Sequence, residues 1–72
     1  MFDYIYTCHA MEQKERRVIS DAEVEECINN YETLFYDKKG NRIYRAHIGS
    51  GRGIKVVVKK NNSKVIITVA DY

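Results

Sequence analysis

The chain has 72 residues, of which 44% are hydrophobic and 31% charged, which suits one domain over residues 1–72 and excludes a disordered chain. No apolar stretch approaches the roughly 20 residues that span a bilayer, and the start lacks the pattern of a signal peptide. The two cysteines, Cys8 and Cys27, are too few for a secreted disulfide framework, so we expect reduced thiols and a cytoplasmic location.

Charge is divided unevenly along the chain. Residues 1–37 contain three basic and nine acidic residues, a net charge of −6, whereas residues 38–72 contain nine basic residues and one acid, a net charge of +8. Such asymmetry concerns the partners of a protein rather than its fold. Two interpretations stay open: the halves attract each other and the basic surface is merely solvated, or the basic half binds phosphate.

The first part of the chain predicts an extended segment followed by a helix. Residues 1–6 form a lead-in strand or an extended segment that covers the core. Thr7 is suited to cap a helix that runs to about Arg17. Helical spacing puts four residues on one broad, weakly apolar side: Ala10, Met11, Lys14 and Val18. Three polar residues form a ridge on the opposite side: His9, Gln13 and Arg16.

A second helix is the clearest element of the sequence. Ser20 and Glu23 have the spacing of a capping box, in which each side chain bonds the other residue's main-chain N–H. The helix is predicted to end at Asn29-Asn30. Four residues then form one apolar stripe at helical spacing: Val24, Cys27, Ile28 and Tyr31.

Beyond the second helix the apolar period changes to that of strands. Four strands are predicted, at residues 33–36, 42–48, 54–60 and 64–69. Turns are expected at 38–41 and 61–63, and a flexible break at 49–51. Alternation puts Ile54, Val56 and Val58 on one face of the third predicted strand. It puts Val65, Ile67 and Val69 on one face of the fourth. Short connections favour antiparallel pairing, so we predict an α+β fold with two helices packed on a four-stranded antiparallel β-meander.

A set of motifs resembles a known family. His9-Ala10-Met11-Glu12, followed by Arg17 and Ile19-Ser20, is similar to the opening of a family of small bacterial and phage domains of unknown function, and residues 24–26, 51–58 and 66–69 continue the similarity. That family is grouped with RelE-like and BrnT-like ribonuclease toxins. The resemblance implies a RelE-like fold and a metal-independent endoribonuclease, in which an RNA 2′-hydroxyl attacks the neighbouring phosphate. This chain has Gln13 where many members have a second arginine.

Two residues are the candidates for catalysis. RNA cleavage of this kind needs a base, an acid and positive charge at the phosphate. His9 is the candidate acid or base because imidazole titrates near neutral pH, and the alternative is a histidine that satisfies a backbone group. Arg17 is the candidate for stabilising charge on the phosphate. Its alternative is an ordinary helix end that pairs with a nearby glutamate.

Five residues are candidates for binding the substrate: Arg16, Arg45, His47, Arg52 and Lys55. Alternation puts Arg45 and His47 on one face of a strand, where Lys55 of the next strand can join them in a phosphate-binding floor. The alternative for Arg16 is a solvated helix end that pairs with a nearby glutamate, and the alternative for the other four is an ordinary charged outer face. Tyr36 and Tyr44 are candidates to stack on bases or, alternatively, to pack in the sheet.

A metal site is not predicted. The four possible nitrogen and sulfur ligands fit no compact zinc-finger spacing: Cys8, His9, Cys27 and His47. No motif indicates a cofactor. The sequence therefore gives two hypotheses, a RelE-like toxin-type domain that binds and cleaves RNA, and a non-catalytic interaction or regulatory module on the same scaffold. Expected partners are RNA, a cognate antitoxin or another protein, and no membrane.

Overall fold

The computed structural model describes residues 3–49 and 51–72. Met1, Phe2 and Ser50, which belong to the predicted lead-in segment and the predicted flexible break, lie outside the described residues. The described elements are β1 (Ile5–Tyr6), α1 (Cys8–Arg16), α2 (Asp21–Asn29), β2 (Thr33–Tyr36), β3 (Arg42–His47), β4 (Gly53–Val58) and β5 (Val65–Asp71). In these residues no helix is both long and apolar enough to cross a membrane.

The sheet has five strands in the order β1-β5-β4-β3-β2. Strands β2 to β5 form the predicted antiparallel meander, but β1 pairs parallel to β5, so the predicted purely antiparallel sheet of four strands is wrong. The extra pairing joins residues 60 positions apart, with the N–H of Ile5 donating to the carbonyl of Lys64 at 2.8 Å. A two-residue strand of this kind has no local sequence pattern that would predict its partner.

The first helix covers the outer edge of β5. Thr7 caps α1 as predicted, accepting from the N–H of Ala10 at 3.1 Å. The Thr7 hydroxyl also donates to the carbonyl of Ile67 at 3.3 Å, and the Gln13 side chain accepts from the N–H of Val69 at 3.2 Å. The N-cap of α1 and one side chain within the helix therefore satisfy backbone groups that an edge strand otherwise leaves unpaired.

The predicted apolar side of the first helix is only partly correct. Ala10 is fully buried, whereas Met11 is 39% and Val18 80% exposed. The reason is that α1 ends at Arg16, and Val18 follows in a left-handed conformation with φ of 53°. That turn directs Val18 into solvent and places Ile19 in the core instead.

The second helix agrees with its prediction except at Tyr31, which lies beyond the end of the helix at Asn29 and is 45% exposed. The capping box between Ser20 and Glu23 is formed, with both hydrogen bonds present. Val24 and Cys27 are fully buried, and the Cys27 thiol faces the carbonyl of Ile54 at 3.5 Å. Burial raises the pKa of this thiol to about 11. Cys27 is therefore a packing residue with little thiolate at neutral pH.

The core lies between the two helices and one face of the sheet. Ile54, Val56 and Val58 of β4 are buried there, as the alternation predicted. On β5, however, the buried residues are Ile66 and Val69, and the predicted face with Val65 and Ile67 is wrong. Val57 pairs with Thr68 and Val58 with Ile66, so Ile67 is an extra residue at a β-bulge. The bulge shifts the alternation by one position.

Candidate nucleic-acid interface

The face of the sheet that the helices leave open is basic. Register pairs Arg45 of β3 with Lys55 of β4, side by side on adjacent strands. The strand neighbours Ala46 and Ile54 are buried under the helices, so alternation directs Arg45, His47 and Lys55 to the opposite face. These three predicted phosphate-binding residues therefore share one surface.

Arg45 is held between two aromatic rings on this face. Its guanidinium carbon lies 4.4 Å from the ring centre of Phe35 and 4.8 Å from that of Tyr72. Both distances are within the range of cation–π attraction. The Nε atom of Arg45 is buried and has no hydrogen-bond partner among residues 3–49 and 51–72. The two rings thus fix the position of the guanidinium, and no carboxylate in the described chain pairs with it.

A histidine and a carboxylate form the next part of the same face. The Nδ1 atom of His47 lies 3.0 Å from Oε1 of Glu32, and the His47 ring lies 5.2 Å from the ring of Tyr72. The Tyr72 hydroxyl also approaches Glu32, at 3.4 Å. The hydrogen bond from His47 lowers the pKa of Glu32. The whole set is called the open-face cluster: Glu32, Phe35, Arg45, His47, Lys55 and Tyr72.

Two other predicted arginines form a separate group at the end of the sheet. Arg17 Nε lies 3.7 Å and Arg52 Nε 3.0 Å from the carboxylate of Asp71. Arg52 also donates to the main-chain carbonyls of Arg17 and Val18, the latter at 3.0 Å. Arg52 therefore fastens the end of α1 to the start of β4, and its donors are used within the protein.

The two remaining predicted residues lie on α1. His9 is exposed, on the side of the helix that also carries Gln13. Arg16 is exposed and pairs with Glu12 at 3.2 Å, which is the alternative that the sequence left open for it. Arg17 lies eight positions after His9, about 12 Å along a helix axis. Among the described hydrogen bonds, ion pairs and ring contacts, none joins His9 to Arg17 or Lys55.

Comparison with known proteins places the chain in a family. A family model described as "Domain of unknown function (DUF4258)" matches residues 6–71. The chain belongs to this family. The match includes both helices and strands β2 to β5, and it confirms the expected membership of a family of domains of unknown function. Searches of curated proteins and of solved structures found no match to this DUF4258 domain.

Three residues of the open-face cluster were not predicted from the sequence of this DUF4258 domain: Glu32, Phe35 and Tyr72. Phe35 had a usable signal, because it pairs with Ile43 and so shares the face of Arg45. Glu32 and Tyr72 lie outside the strands, where no alternation indicates a face. Their positions depend on tertiary contacts.

The predicted base-stacking tyrosines lie elsewhere on the DUF4258 domain. Tyr44 packs against the core on the helix side, with its ring 5.4 Å from that of Tyr31. Tyr36 is 66% exposed and pairs with Arg42 at the far end of β2. Neither ring contacts Arg45 in the described contacts. The aromatic contribution to the open face comes from Phe35 and Tyr72 instead.

A shallow pocket lies away from all the predicted residues. It is lined by Asp3, Tyr4, Glu25 and Lys64, and Lys64 and Asp3 pair across it at 2.8 Å. Within residues 3–49 and 51–72, no three side chains of His, Cys, Asp or Glu are grouped to hold a metal ion. In the part of the chain that the structure describes, the open-face cluster combines aromatic rings with cations that have no ion-pair partner, and its rings contact one of those cations directly.

Proposed function

We propose that this domain is a RelE-like, toxin-type domain that binds RNA on the open-face cluster. The observation that supports this is the guanidinium of Arg45 between Phe35 and Tyr72, with Lys55 on the adjacent strand. Cations bind phosphates and release counterions, and aromatic rings stack on unpaired bases. A surface that combines both is suited to a single strand with exposed bases.

The distribution of ion pairs supports the same surface. Arg17 and Arg52 share the one carboxylate of Asp71, at 3.7 and 3.0 Å, which offsets one of their two charges. Arg45 and Lys55, in contrast, have no acidic partner among the described ion pairs. Phosphate binding requires cations that are available, so the open face is better suited to it than the Arg17–Arg52 group.

Binding is tested with a fluorescently labelled single-stranded RNA and anisotropy. Arg45→Gln is expected to weaken binding at least about tenfold, a change of about 1.4 kcal/mol. Phe35→Leu, which removes one ring, is expected to weaken it about five- to tenfold, as for the loss of a stacked base. Glu15→Gln on the exposed side of α1 is the control. A wild-type protein that binds no RNA would leave the non-catalytic protein-interaction module as the function.

A second proposal, that the domain also cleaves the bound RNA without a metal, is supported by the pair of His47 and Glu32. The His47 imidazole takes the proton of a 2′-hydroxyl, whose oxygen attacks the adjacent phosphorus. The 5′-oxygen leaves with a proton from the Tyr72 hydroxyl, which gives a 2′,3′-cyclic phosphate and a 5′-hydroxyl end. Glu32 orients the imidazole, and Arg45 and Lys55 stabilise the developing charge on the phosphate.

This proposal assigns proton transfer to His47 rather than to His9. His47 lies beside Tyr72 and on the face of Arg45, whereas His9 is exposed on α1. The test compares wild type, His47→Gln and His9→Gln for RNA cleavage in the presence of a chelator and for growth arrest on expression. We expect cleavage by wild type and His9→Gln and none by His47→Gln. The opposite order would restore His9 as the catalytic residue.

A further inference from the structure

The two turns at one end of the sheet are joined to each other. The β2–β3 turn is closed by Asp37, whose carboxylate accepts from the N–H groups of Lys39 and Asn41 at 2.9 Å each. The Asn41 side chain then accepts from the N–H of Lys60 in the β4–β5 turn, also at 2.9 Å. Gly40, with φ of 87°, lies against the Lys60 side chain. These bonds hold both turns in one fixed arrangement.

The joined turns present four exposed lysines, which are called the turn lysines: Lys38, Lys39, Lys59 and Lys60. None of the four has an acidic partner in the ion pairs of the described chain. Lys64, on the same β4–β5 connection, differs because it pairs with Asp3 at 2.8 Å. Asp37 is the carboxylate within the joined turns, and its oxygens are occupied by the turn itself.

The lysines and arginines that have no ion-pair partner lie in one region of the described chain. Of the 12 lysines and arginines, those without an ion pair among the described residues are Lys38, Lys39, Arg42, Arg45, Lys55, Lys59 and Lys60. All of them belong to β3, β4 or the two turns. Alternation turns Arg42 to the helix side with the buried Ala46, so it does not belong to the open face. Arg45 lies about 10 Å along β3 from the turn end of that strand, so one extended nucleic-acid strand laid along β3 can reach both the open-face cluster and the turn lysines.

We propose that the turn lysines are a second phosphate-binding surface, which extends the open-face cluster so that one nucleic-acid strand runs along β3 and β4 from Tyr72 toward the turns. This inference rests on the proposed function and adds the path and length of the ligand. A ligand of a few nucleotides reaches only the open-face cluster. A longer single strand reaches both surfaces and releases more counterions when it binds.

The test measures how the affinity depends on salt. Labelled oligouridines of about 3 and about 12 nucleotides are titrated between about 50 and 200 mM salt. The variant Lys38→Gln/Lys39→Gln/Lys59→Gln/Lys60→Gln is expected to lower the slope of log affinity against log salt by about 2 to 3 for the longer RNA, since each lost phosphate contact removes about 0.7. For the shorter RNA, this variant is expected to bind like wild type.

Lys64→Gln is the matched control, because it removes one positive charge from the same connection but from a lysine that is already paired. Its slope is expected to stay at the wild-type value. An unchanged slope in the fourfold variant, or an equal loss from Lys64→Gln, would overturn the inference. The proposed function fails separately, if Arg45→Gln binds both RNAs like wild type. Circular dichroism of each variant confirms that the exposed substitutions leave the fold intact.

Discussion

The Nδ1 atom of His47 lies 3.0 Å from Oε1 of Glu32, and the main-chain N–H of His47 donates to the other oxygen of the same carboxylate at 3.1 Å. One residue therefore holds the carboxylate at both oxygens. The side-chain hydrogen bond is the larger cause, and together they lower the pKa of Glu32 below its ordinary value of 4.5.

Replacing His47 by alanine removes the ring but keeps the main-chain donor. We expect the pKa of Glu32 in His47→Ala to rise toward 4.5 without reaching it. Tyr72→Phe, which removes a longer contact of 3.4 Å, is expected to give a smaller rise. Carbon NMR titration of the Glu32 carboxyl group measures both. Identical titrations of Glu32 in wild type and His47→Ala would mean that the two side chains do not pair in solution.

The contact between Tyr6 and Asp21 predicts how stability depends on pH. The Tyr6 hydroxyl donates to Asp21 at 2.7 Å, which lowers the pKa of Asp21 below 3.8, while burial and this bond raise the pKa of Tyr6 above 10.0. The Asp21 contribution is present above pH 3.8 and is lost as pH falls through its lower folded pKa. The Tyr6 contribution is complete below pH 10.0 and is lost as pH rises through its higher folded pKa.

Tyr6→Phe removes the Tyr6 contribution and the largest cause of the Asp21 contribution, whereas the ion pair of Asp21 with Lys14 at 3.3 Å remains. We expect Tyr6→Phe to lower the free energy of unfolding by about 1 kcal/mol at neutral pH. The free energy of unfolding is also expected to fall less steeply with pH at both the acidic and the alkaline limit. Urea unfolding at several pH values measures this, with Tyr36→Phe as the control for an exposed tyrosine. A Tyr6→Phe protein with the same pH dependence as wild type would contradict the assignment.

Arg52 is expected to stabilise the fold through its shape as well as its charge. Its guanidinium bonds Asp71 and the carbonyls of Arg17 and Val18. Arg52→Ala is expected to lower the free energy of unfolding by about 2 kcal/mol. Arg52→Lys is expected to restore little of this stability, because an ammonium group cannot match the fork geometry of the guanidinium. Arg16→Ala, at an exposed pair, is expected to cost less than about 0.5 kcal/mol. Full recovery in Arg52→Lys would show that charge alone matters.

Gly53 is required by the close approach of Tyr72. A Cβ at position 53 would collide with the main-chain carbonyl of Tyr72 and would lie 3.1 Å from its ring. Gly53→Ala is therefore expected to displace the Tyr72 ring from Arg45, to cost about 1–2 kcal/mol and to weaken RNA binding. Gly49→Ala is the matched control, because a Cβ there meets nothing within 4 Å. Proton NMR shifts of the Tyr72 ring and thermal unfolding distinguish the two variants.

The sequence predicted the elements that are specified by residues close together in the chain. The capping box at Ser20 predicted the start of α2, and alternation predicted the buried side of β4. Ile66 and Ile67 are both apolar, so no pattern indicated which one is the extra residue of the bulge. The pairing of Ile5 with Val65 was equally unpredictable, because it depends on how the helices return the chain to the sheet.

The candidate site likewise combines features that local patterns predicted with features that depend on tertiary contacts. Alternation placed Arg45 and His47 on one face from the sequence alone, whereas the register that puts Lys55 beside Arg45 comes from the structure. The hydrogen bonds from the Arg52 guanidinium to the end of α1 were not predictable, because they depend on where the main-chain carbonyls of Arg17 and Val18 lie in the fold. Whether His9 lies near the sheet cations likewise depends on the position of α1 relative to β5, which no spacing within the helix determines.

The coverage of β5 by Thr7 and Gln13 limits how copies of this chain can assemble. With those main-chain groups occupied, and with β1 only two residues long, that margin offers too little backbone for a further strand. Among the described residues, β2 is therefore the margin that offers free main-chain groups to a further strand, so two copies that extend this sheet are expected to join through β2.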